Sequence, residues 1–572
     1  VKNTIADDDL SNKFSDKFFI NAESIVEIGI SPFAQFYMIE SNKSYSIEYD
    51  IISSYDIPDV IIEVDESLDN SNLSFSEPMS MRGVDIAQLA FYPIKYNTQT
   101  QILTIIENFN IHITEEENQN NDFNASLDVP ISREYEKILN EMVVNLEIGD
   151  RTTDDMPSIL YVCGGNSLSN SYLQDLIQWR KEQGFKVYTV NTSETGGNDF
   201  YSIKGYISDA YYNWEYPPEY VVLVGDTGGS YQIGYSTASG GESDYPYSLI
   251  DGDDLLPELF VGRISANSSS DLDNIINKTL AYEKATFIDF TGSEWYESSG
   301  LVGDPSSTGN SAIITNEYIE NIMNSFEFDN VQTCYGCSYS SWMQNRLEEG
   351  ILYFNYRGYI GTSGFGSSHI NNANNGYMTP FVTFITCSTG GFSGTAITES
   401  FIRAGSTSNP KGGVAAIGTA TSATHTVPNN IVDMGIYDGI FSNNIKTAGA
   451  ALVSGKMALH STYPTNPSQM TYKFTYWNNL MGDPALHLWI DTPQSLNISY
   501  PEIVNAGTDV IQLNVTDNDN NPIVDARAIL FVDEDNVFYS FTDENGDASI
   551  NFNSSASSSI TLTVIKDNHI PF

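Results

Sequence analysis

Basic residues are scarce in this 572-residue chain, which has 25 Lys and Arg against 74 Asp and Glu. The formal net charge is therefore −49 at neutral pH. So negative a surface repels phosphate backbones, and we expect no nucleic-acid partner. Since charged residues make up only 17% of the chain, the imbalance comes mainly from missing Lys and Arg. It suggests an extracellular or saline setting in which salt screens the charge.

Long apolar runs and cysteines are also few. No run of about 18 apolar residues occurs, so the sequence predicts no transmembrane helix. The chain opens at Val1 without a signal-peptide core, which suggests a cytosolic or already processed protein. Four cysteines are too few for a disulfide scaffold. Cys334 and Cys337 lie in a predicted loop, and we expect a local disulfide or two free thiols rather than a redox pair.

The apolar patterns divide the chain into five predicted segments. Residues 1–118 are β-rich, and residues 119–157 form a linker with one helix. Strands alternate with helices over 158–295 and 296–492, which predicts α/β subdomains with parallel sheets. Short alternating strands return over 493–572, as expected for an immunoglobulin-like β-sandwich.

Two uncharged stretches, Gly358–Thr398 and Gly412–Val432, interrupt this acidic chain. Cys387 lies in the first, directly after the predicted strand Phe381–Thr386 and before small residues and glycines. Catalytic groups of open α/β sheets gather at the carboxyl ends of strands. Cys387 is therefore a candidate nucleophile beside an oxyanion hole. The alternative is a small buried hydrophobic residue, since free cysteine is among the most buried residue types.

Six motifs of the α/β region belong together: Tyr220–Asp226 (YVVLVGD), Ser243–Ser265, Asn355–Gly358 (NYRG), Phe384–Gly390 (FITCSTG), Gly412–Thr419 (GGVAAIGT) and Leu480–Leu486 (LMGDPAL). Together they resemble the gingipain family of secreted cysteine peptidases. The resemblance implies an α/β catalytic domain of caspase-like fold, an N-terminal β-rich pro-domain and a C-terminal immunoglobulin-like domain.

The same resemblance assigns roles to individual residues. It places the nucleophile at Cys387 and the acid that orients the catalytic histidine at Asp304. The family's histidine position is occupied by Tyr359, whose phenol cannot supply the positive charge that stabilises a thiolate. We expect His425 to replace that base; alternatively, it only lines the pocket. Further oxyanion and pocket residues are expected at Gly358, Ser388 and Thr426.

Two functions follow from these assignments. The first is a secreted cysteine endopeptidase, or its zymogen, that hydrolyses protein or peptide substrates through Cys387. The second is an inactive pseudopeptidase that acts as an extracellular structural or adhesive subunit through self-association. In the family the pro-domain is removed after a basic residue; Arg151 is the candidate here, or it is an ordinary linker residue.

An acidic loop suggests a structural Ca²⁺ site, because hard oxygen ligands at short spacing suit this ion. The resemblance also implies structural calcium. The expected ligands are Asp226, Asp244, Asp251, Asp253, Asp254 and Glu258. The alternative is a solvated acidic loop. Asp543, Asn545 and Asp547 form a weaker candidate, for which an ordinary turn is the simpler interpretation.

Overall fold

The computed structural model describes residues 18–20, 33–59, 62–64, 72–97, 99–118 and 125–572, the last range without 327, 329, 423, 465, 467–468, 506 and 553–558. The start of the predicted linker, residues 119–124, therefore lies outside the described residues. None of the described helices is long and apolar enough to cross a membrane.

The N-terminal region is β-rich, as predicted. Its strands are β1 (Phe18–Ile20), β2 (Phe33–Met38), β3 (Lys43–Ile57), β4 (Ile62–Val64), β5 (Leu73–Phe75), β6 (Met79–Met81), β7 (Val84–Phe91), β8 (Ile94–Asn97) and β9 (Ile102–Glu117). One sheet has the order β2-β7-β5 with β6 also on β7, and another has the order β3-β9-β8. Helix α1 (Arg133–Met142) follows, capped by the Ser132 side chain.

The described part of the central region contains fourteen further strands. They are β10 (Ser158–Cys163), β11 (Lys186–Asn191), β12 (Pro218–Val224), β13 (Ser236–Ala238), β14 (Gly241–Ser243), β15 (Phe260–Ile264), β16 (Ser298–Gly303), β17 (Asn330–Cys334), β18 (Tyr353–Arg357), β19 (Phe381–Phe384), β20 (Gly405–Ser406), β21 (Asn409–Pro410), β22 (Ala415–Thr419) and β23 (Asn478–Met481). Ten of them form one sheet of order β11-β10-β12-β15-β23-β22-β19-β18-β16-β17. Both predicted subdomains thus contribute to one continuous sheet.

Strand direction changes once across this sheet. All its neighbouring strands are parallel except β22 and β23, which are antiparallel. The predicted parallel α/β sheet is confirmed, and the β22–β23 pair adds one antiparallel pairing to it. As a result, the carboxyl ends of β16, β18, β19 and β22 lie at the opposite edge from those of β10, β12 and β15. Loops that follow strands of the two halves nevertheless meet, since the Thr227 hydroxyl after β12 donates to Phe392 O after β19 at 2.8 Å.

Helices pack on the sheet, and its inner strands are buried along their length. The described helices are α2 (Ser171–Glu182), α3 (Phe200–Asn213), α4 (Ser269–Glu283), α5 (Ile288–Thr291), α6 (Ser311–Ser325), α7 (Tyr339–Glu349), α8 (Ser367–Asn372), α9 (Ile397–Arg403), α10 (Thr426–Phe441), α11 (Ala448–Thr462) and α12 (Met470–Trp477). The main hydrophobic cluster runs from Phe36 of β2 to Trp489, so the N-terminal region shares a core with the sheet.

A β-sandwich ends the chain. Its strands are β24 (Asn497–Ser499), β25 (Val510–Thr516), β26 (Arg527–Asp533), β27 (Asn536–Phe541), β28 (Asp547–Asn551) and β29 (Thr561–Ile565). They form two three-stranded sheets, β24-β25-β28 and β27-β26-β29, around a separate hydrophobic cluster. The sandwich agrees with the prediction, and its immunoglobulin type stays a prediction. Asp543 forms an ordinary turn, since its Oδ1 accepts the Asn545 and Asp547 amides at 2.8 and 3.0 Å.

Candidate functional site

The candidate site lies where four neighbouring strands end. β16, β18, β19 and β22 are parallel, so the residues that follow them meet at one edge of the sheet. Asp304 follows β16, Gly358 follows β18, and Cys387 follows β19. The loop after β22 leads into α10 and carries Thr424 and His425. The expected position of Cys387 at a strand's carboxyl end agrees with this arrangement.

The Cys387 sulfur is enclosed and hydrogen-bonded. Its residue is only 2% exposed, and its backbone forms a parallel bridge with Ile360. The sulfur lies 2.7 Å from the Thr424 hydroxyl oxygen. Thr424 is a site residue that sequence reasoning missed. The only feature of the sequence that could have indicated this role was the position of Thr424 next to His425, in the uncharged stretch Gly412–Val432.

His425 occupies a helix-capping position beside this contact. Its Nδ1 accepts the Val427 amide at 3.3 Å and so caps the N-terminus of α10. The residue is exposed. Its neighbour Thr424 supplies the hydrogen-bond partner of the Cys387 sulfur. The structure therefore brings the His425 segment to the nucleophile, with the imidazole engaged at the helix end.

The expected oxyanion and pocket residues are engaged in several ways. The Ser388 amide donates to Thr421 O at 2.9 Å, so this amide is not free to bind an oxyanion. Gly358 is needed sterically, since a Cβ there would approach the Tyr356 hydroxyl to 2.5 Å. The Thr426 carbonyl accepts from a buried arginine, Arg357. The Ser388 amide is therefore engaged within the protein, and the expected place of Ser388 at the oxyanion site or pocket stays a prediction.

Asp304 faces hydroxyl groups. Its Oδ1 accepts the Ser306 amide at 2.9 Å, and its Oδ2 accepts the Ser363 hydroxyl. The Tyr356 and Ser363 hydroxyls are 2.7 Å apart and extend this chain. Although partial burial opposes it, hydrogen bonds from Ser306 and Ser363 lower the pKa of Asp304. Ser363 thus takes the hydrogen bond that the resemblance assigned to a histidine.

Tyr359 and Ile360 follow Gly358 on the rim of the site. They are 52% and 58% exposed, which is unusual for large side chains. Since Ile360 bridges to Cys387, this surface borders the nucleophile directly. The rim is therefore aromatic and aliphatic at the position where the resemblance leads us to expect a histidine.

Arg357 is a second residue that sequence reasoning missed. It ends β18 inside the quoted NYRG motif and is completely buried. Its guanidinium donates to Asn430 Oδ1 at 2.6 and 3.0 Å and to Thr426 O at 3.2 Å. Nη1 is buried without a hydrogen-bond partner. The feature that could have drawn attention to Arg357 was a charged residue at the end of a predicted buried strand.

The six expected calcium ligands do not come together. Asp226 pairs with Arg403 at 3.0 Å, and Asp244 accepts two hydrogen bonds from Arg263 at 2.6 and 2.7 Å. Asp254 accepts the Ser80 amide of the N-terminal region at 2.8 Å. Within the described ranges, no three His, Cys, Asp or Glu side chains group to hold a metal ion.

The rest of the acidic loop is held by protein donors as well. Glu258 accepts the Ile250 and Asp251 amides at 2.7 and 3.2 Å, and Asp251 accepts the Tyr212 hydroxyl at 3.2 Å. Asp253 is exposed. These carboxylates stabilise loop and interdomain contacts, so the six residues do not fit a shared Ca²⁺ site.

The remaining predictions concern Cys334 and Arg151. Cys334 and Cys337 form a local disulfide, one of the two predicted states. Arg151 forms an ion pair with Asp128 at 2.7 Å. Its carbonyl accepts the Ile131 amide at 3.0 Å. Processing after Arg151 stays a prediction, and it would require this backbone pairing to open.

Comparison with known proteins gives consistent matches. The family model described as peptidase family C25 matches residues 152–489. Gingipain R1 of Porphyromonas gingivalis is 26% identical over 514 residues, which cover 86% of this chain and 50% of that protein. Gingipain R2 is 25% identical and covers 87% of this chain and 68% of that protein. The chain thus spans about half the length of the first of these relatives.

A solved structure extends the likeness to the fold. The crystal structure of the Arg specific cysteine proteinase gingipain R superposes with a TM-score of 0.65 at 22% sequence identity. The match covers 75% of this chain and 98% of the other. At this identity the likeness establishes the caspase-like fold and leaves the chemistry of the site to its own residues.

Proposed function

Because this chain belongs to peptidase family C25, we propose that it is a cysteine peptidase with Cys387 as nucleophile and His425 as proton donor. The observation that carries the proposal is the 2.7 Å contact between the Cys387 sulfur and Thr424. This contact holds the residue adjacent to His425 on the sulfur. We expect the His425 imidazole, once released from the α10 cap, to reach the reacting atoms.

The proposed reaction proceeds through a thioester. The Cys387 thiolate attacks the scissile carbonyl, and backbone amides near Gly358 and Cys387 stabilise the oxyanion. The C–N bond breaks as His425 protonates the leaving amine, because an amine leaves poorly without a proton. Water then hydrolyses the thioester, with His425 accepting its proton and the sulfur leaving as thiolate.

The proposed substrates are proteins or peptides with an uncharged residue before the scissile bond. The pocket wall Gly412–Val432 carries no charged side chain. The neighbouring rim of Tyr359 and Ile360 is exposed and largely apolar. A basic side chain would find no carboxylate in that wall, so these features favour apolar or small side chains.

A pseudopeptidase that assembles with itself is the second candidate. It is favoured by two contacts, Thr424 on the sulfur and Ser363 on Asp304, which occupy the positions where a catalytic histidine would bind. Such a site retains the fold around Cys387 but has no histidine in hydrogen-bond contact with the sulfur that could act as a base.

The test is hydrolysis of a peptide library by the protein and its variants, followed by mass spectrometry. We expect Cys387→Ser to abolish cleavage and His425→Ala to lower kcat/KM by at least ~100-fold. His369→Ala is the matched control, because the His369 ring accepts the Gly366 amide in α8 and should leave cleavage unchanged. If no cleavage depends on Cys387, the peptidase proposal is wrong and the pseudopeptidase is supported.

The proposed location is outside the cell or on its surface. The disulfide between Cys334 and Cys337 favours an oxidising compartment. The net charge of −49 suits a saline medium. Fractionation of the native host, with immunodetection of this chain, would test the location.

A further inference from the structure

Helix α6 carries apolar side chains on two faces. Its inner face joins the main hydrophobic cluster through Ile319 and Met323, which are fully buried. An outer stripe is formed by Ile314, Tyr318 and Phe326, which are 59%, 41% and 44% exposed. A surface helix of a globular protein needs only one apolar face to join the core. The outer stripe is therefore not explained by the fold.

The members of the outer stripe form one continuous surface along α6. Ile314 and Tyr318 are four residues apart and so lie on the same side of the helix, and Phe326 is its C-terminal capping residue. Half-buried Ile322 lies between Tyr318 and Phe326. At a rise of about 1.5 Å per residue the stripe is about 18 Å long. A contiguous exposed apolar surface of this kind marks an interaction site.

Acidic side chains border the outer stripe on the side of α10. Asp438 of α10 and Glu141 of α1 lie near Tyr318. Burial raises the pKa of Tyr318, and these two carboxylates raise it further. Burial and Asp438 likewise raise the pKa of Glu141. Negative charge is therefore concentrated along this border.

Acidic side chains border the opposite side of the stripe as well. Glu317 and Glu320 belong to α6 itself and lie toward Tyr335. Burial raises the pKa of Tyr335, and these two carboxylates raise it further. Within the described part of the chain, none of the four carboxylates around the stripe forms an ion pair. An apolar stripe between two such borders is complementary to a partner that brings positive charge.

We propose that the outer stripe of α6 binds a cationic amphipathic helix of a partner polypeptide. The partner's apolar side chains, spaced four residues apart like those of the stripe, pack on Ile314, Tyr318 and Phe326. Its Lys or Arg side chains face the four bordering carboxylates. A second copy of this chain is a poor occupant, because it brings the same acidic borders and a net charge of −49. The binding does not depend on the proposed chemistry of Cys387.

The test uses a fluorescently labelled amphipathic helix of Leu and Lys, about 15 residues long so that it matches the stripe. Fluorescence anisotropy at physiological ionic strength measures its binding to the full chain, which carries Cys387→Ser so that hydrolysis cannot interfere. We expect Ile314→Ser with Tyr318→Ala to weaken binding at least ~10-fold. Glu317→Gln with Glu320→Gln should weaken it roughly two- to fivefold. Ile314→Ser alone decides the matter if circular dichroism shows that the double variant does not fold.

Matched controls separate the stripe from the general acidity of the chain. Tyr201→Ala removes a more exposed tyrosine from α3, and Glu502→Gln with Glu544→Gln removes two exposed carboxylates of the C-terminal region. Both should leave binding unchanged, and a scrambled Leu and Lys peptide of equal charge should bind at least ~10-fold more weakly.

Two results overturn the proposal. If the scrambled peptide binds equally well, or the control variants weaken binding as much as the stripe variants do, the peptide adheres to acidic surface in general. If sedimentation velocity shows self-association that Ile314→Ser abolishes, a second copy of the chain covers the stripe. Peptide cleavage by Cys387 is measured separately, so its absence defeats only the proposed function.

Discussion

Two buried arginines of the same sheet differ in how closely a carboxylate pairs with them. Arg263, in β15, donates two hydrogen bonds to Asp244 and others to the carbonyls of Gly225, Ile233 and Gly234. Although burial opposes it, Asp244 raises the pKa of Arg263. Arg357, in β18, has the buried Asp433 carboxylate 3.9 Å from its Nε, beyond hydrogen-bond distance, and burial lowers the pKa of Arg357 to about 10. Arg263 therefore forms a hydrogen-bonded ion pair, whereas Arg357 forms a looser one.

This difference in ion pairing predicts a difference in how much each arginine contributes to stability. A fully satisfied ion pair is expensive to break, because the remaining partner is then a buried, unpaired charge. A looser pair contributes less to stability, because less of its desolvation cost is repaid. We therefore expect substitution of Arg263 to lower the free energy of unfolding more than substitution of Arg357.

The largest expected effect is on stability in the Arg263 half. Arg263→Met should lower the free energy of unfolding by about 3–5 kcal/mol, since it leaves Asp244 charged and buried. Arg357→Met should cost only about 1–2 kcal/mol, the value of its hydrogen bonds to Asn430 and Thr426. Urea unfolding monitored by tryptophan fluorescence measures both, and equal losses would contradict the contrast.

A second effect is a pH dependence that originates at Asp433. Because burial raises the pKa of this carboxyl to about 7, the folded state retains a proton that the unfolded chain releases near pH 4. The stabilisation is complete at low pH and is lost as the pH rises through 7. Between pH 5 and 8 the free energy of unfolding of the unmodified protein should fall by roughly 2 kcal/mol more than that of the Asp433→Asn variant. Asp438→Asn, on the same helix, should behave like the unmodified protein in parallel urea titrations.

The smallest expected effect concerns Thr424. Thr424→Val keeps the shape of the side chain and removes the hydroxyl group from the Cys387 sulfur. Loss of one hydrogen bond to the thiolate should lower the rate at which iodoacetamide alkylates Cys387 at pH 7 roughly two- to fivefold. Thr424→Ser should restore this rate. A faster reaction in the valine variant would mean that the hydroxyl shields the sulfur.

Much of the architecture could be predicted from local patterns. Short buried strands alternating with helices predicted the central sheet, and Cys387 was placed correctly at a strand's carboxyl end. The antiparallel β22–β23 pair escaped prediction because β23 lies far along the chain from its neighbour β15, and no local pattern encodes that pairing. The acidic loop was misjudged for a similar reason, since Arg263 and Ser80 bind its carboxylates from other parts of the chain.

The sequence by itself determined the acidity, the α/β alternation, the cysteine nucleophile candidate and the tyrosine at the expected histidine position. These depend on composition, on spacing, or on one residue at one place in a motif. Only the tertiary structure decided the partners: Thr424 for the sulfur, Ser363 for Asp304, and Asn430 with the more distant Asp433 for Arg357. Burial and pairing arise from residues that are distant in the chain. They set the charge state of a group, and so the chemistry of this site was decided by packing.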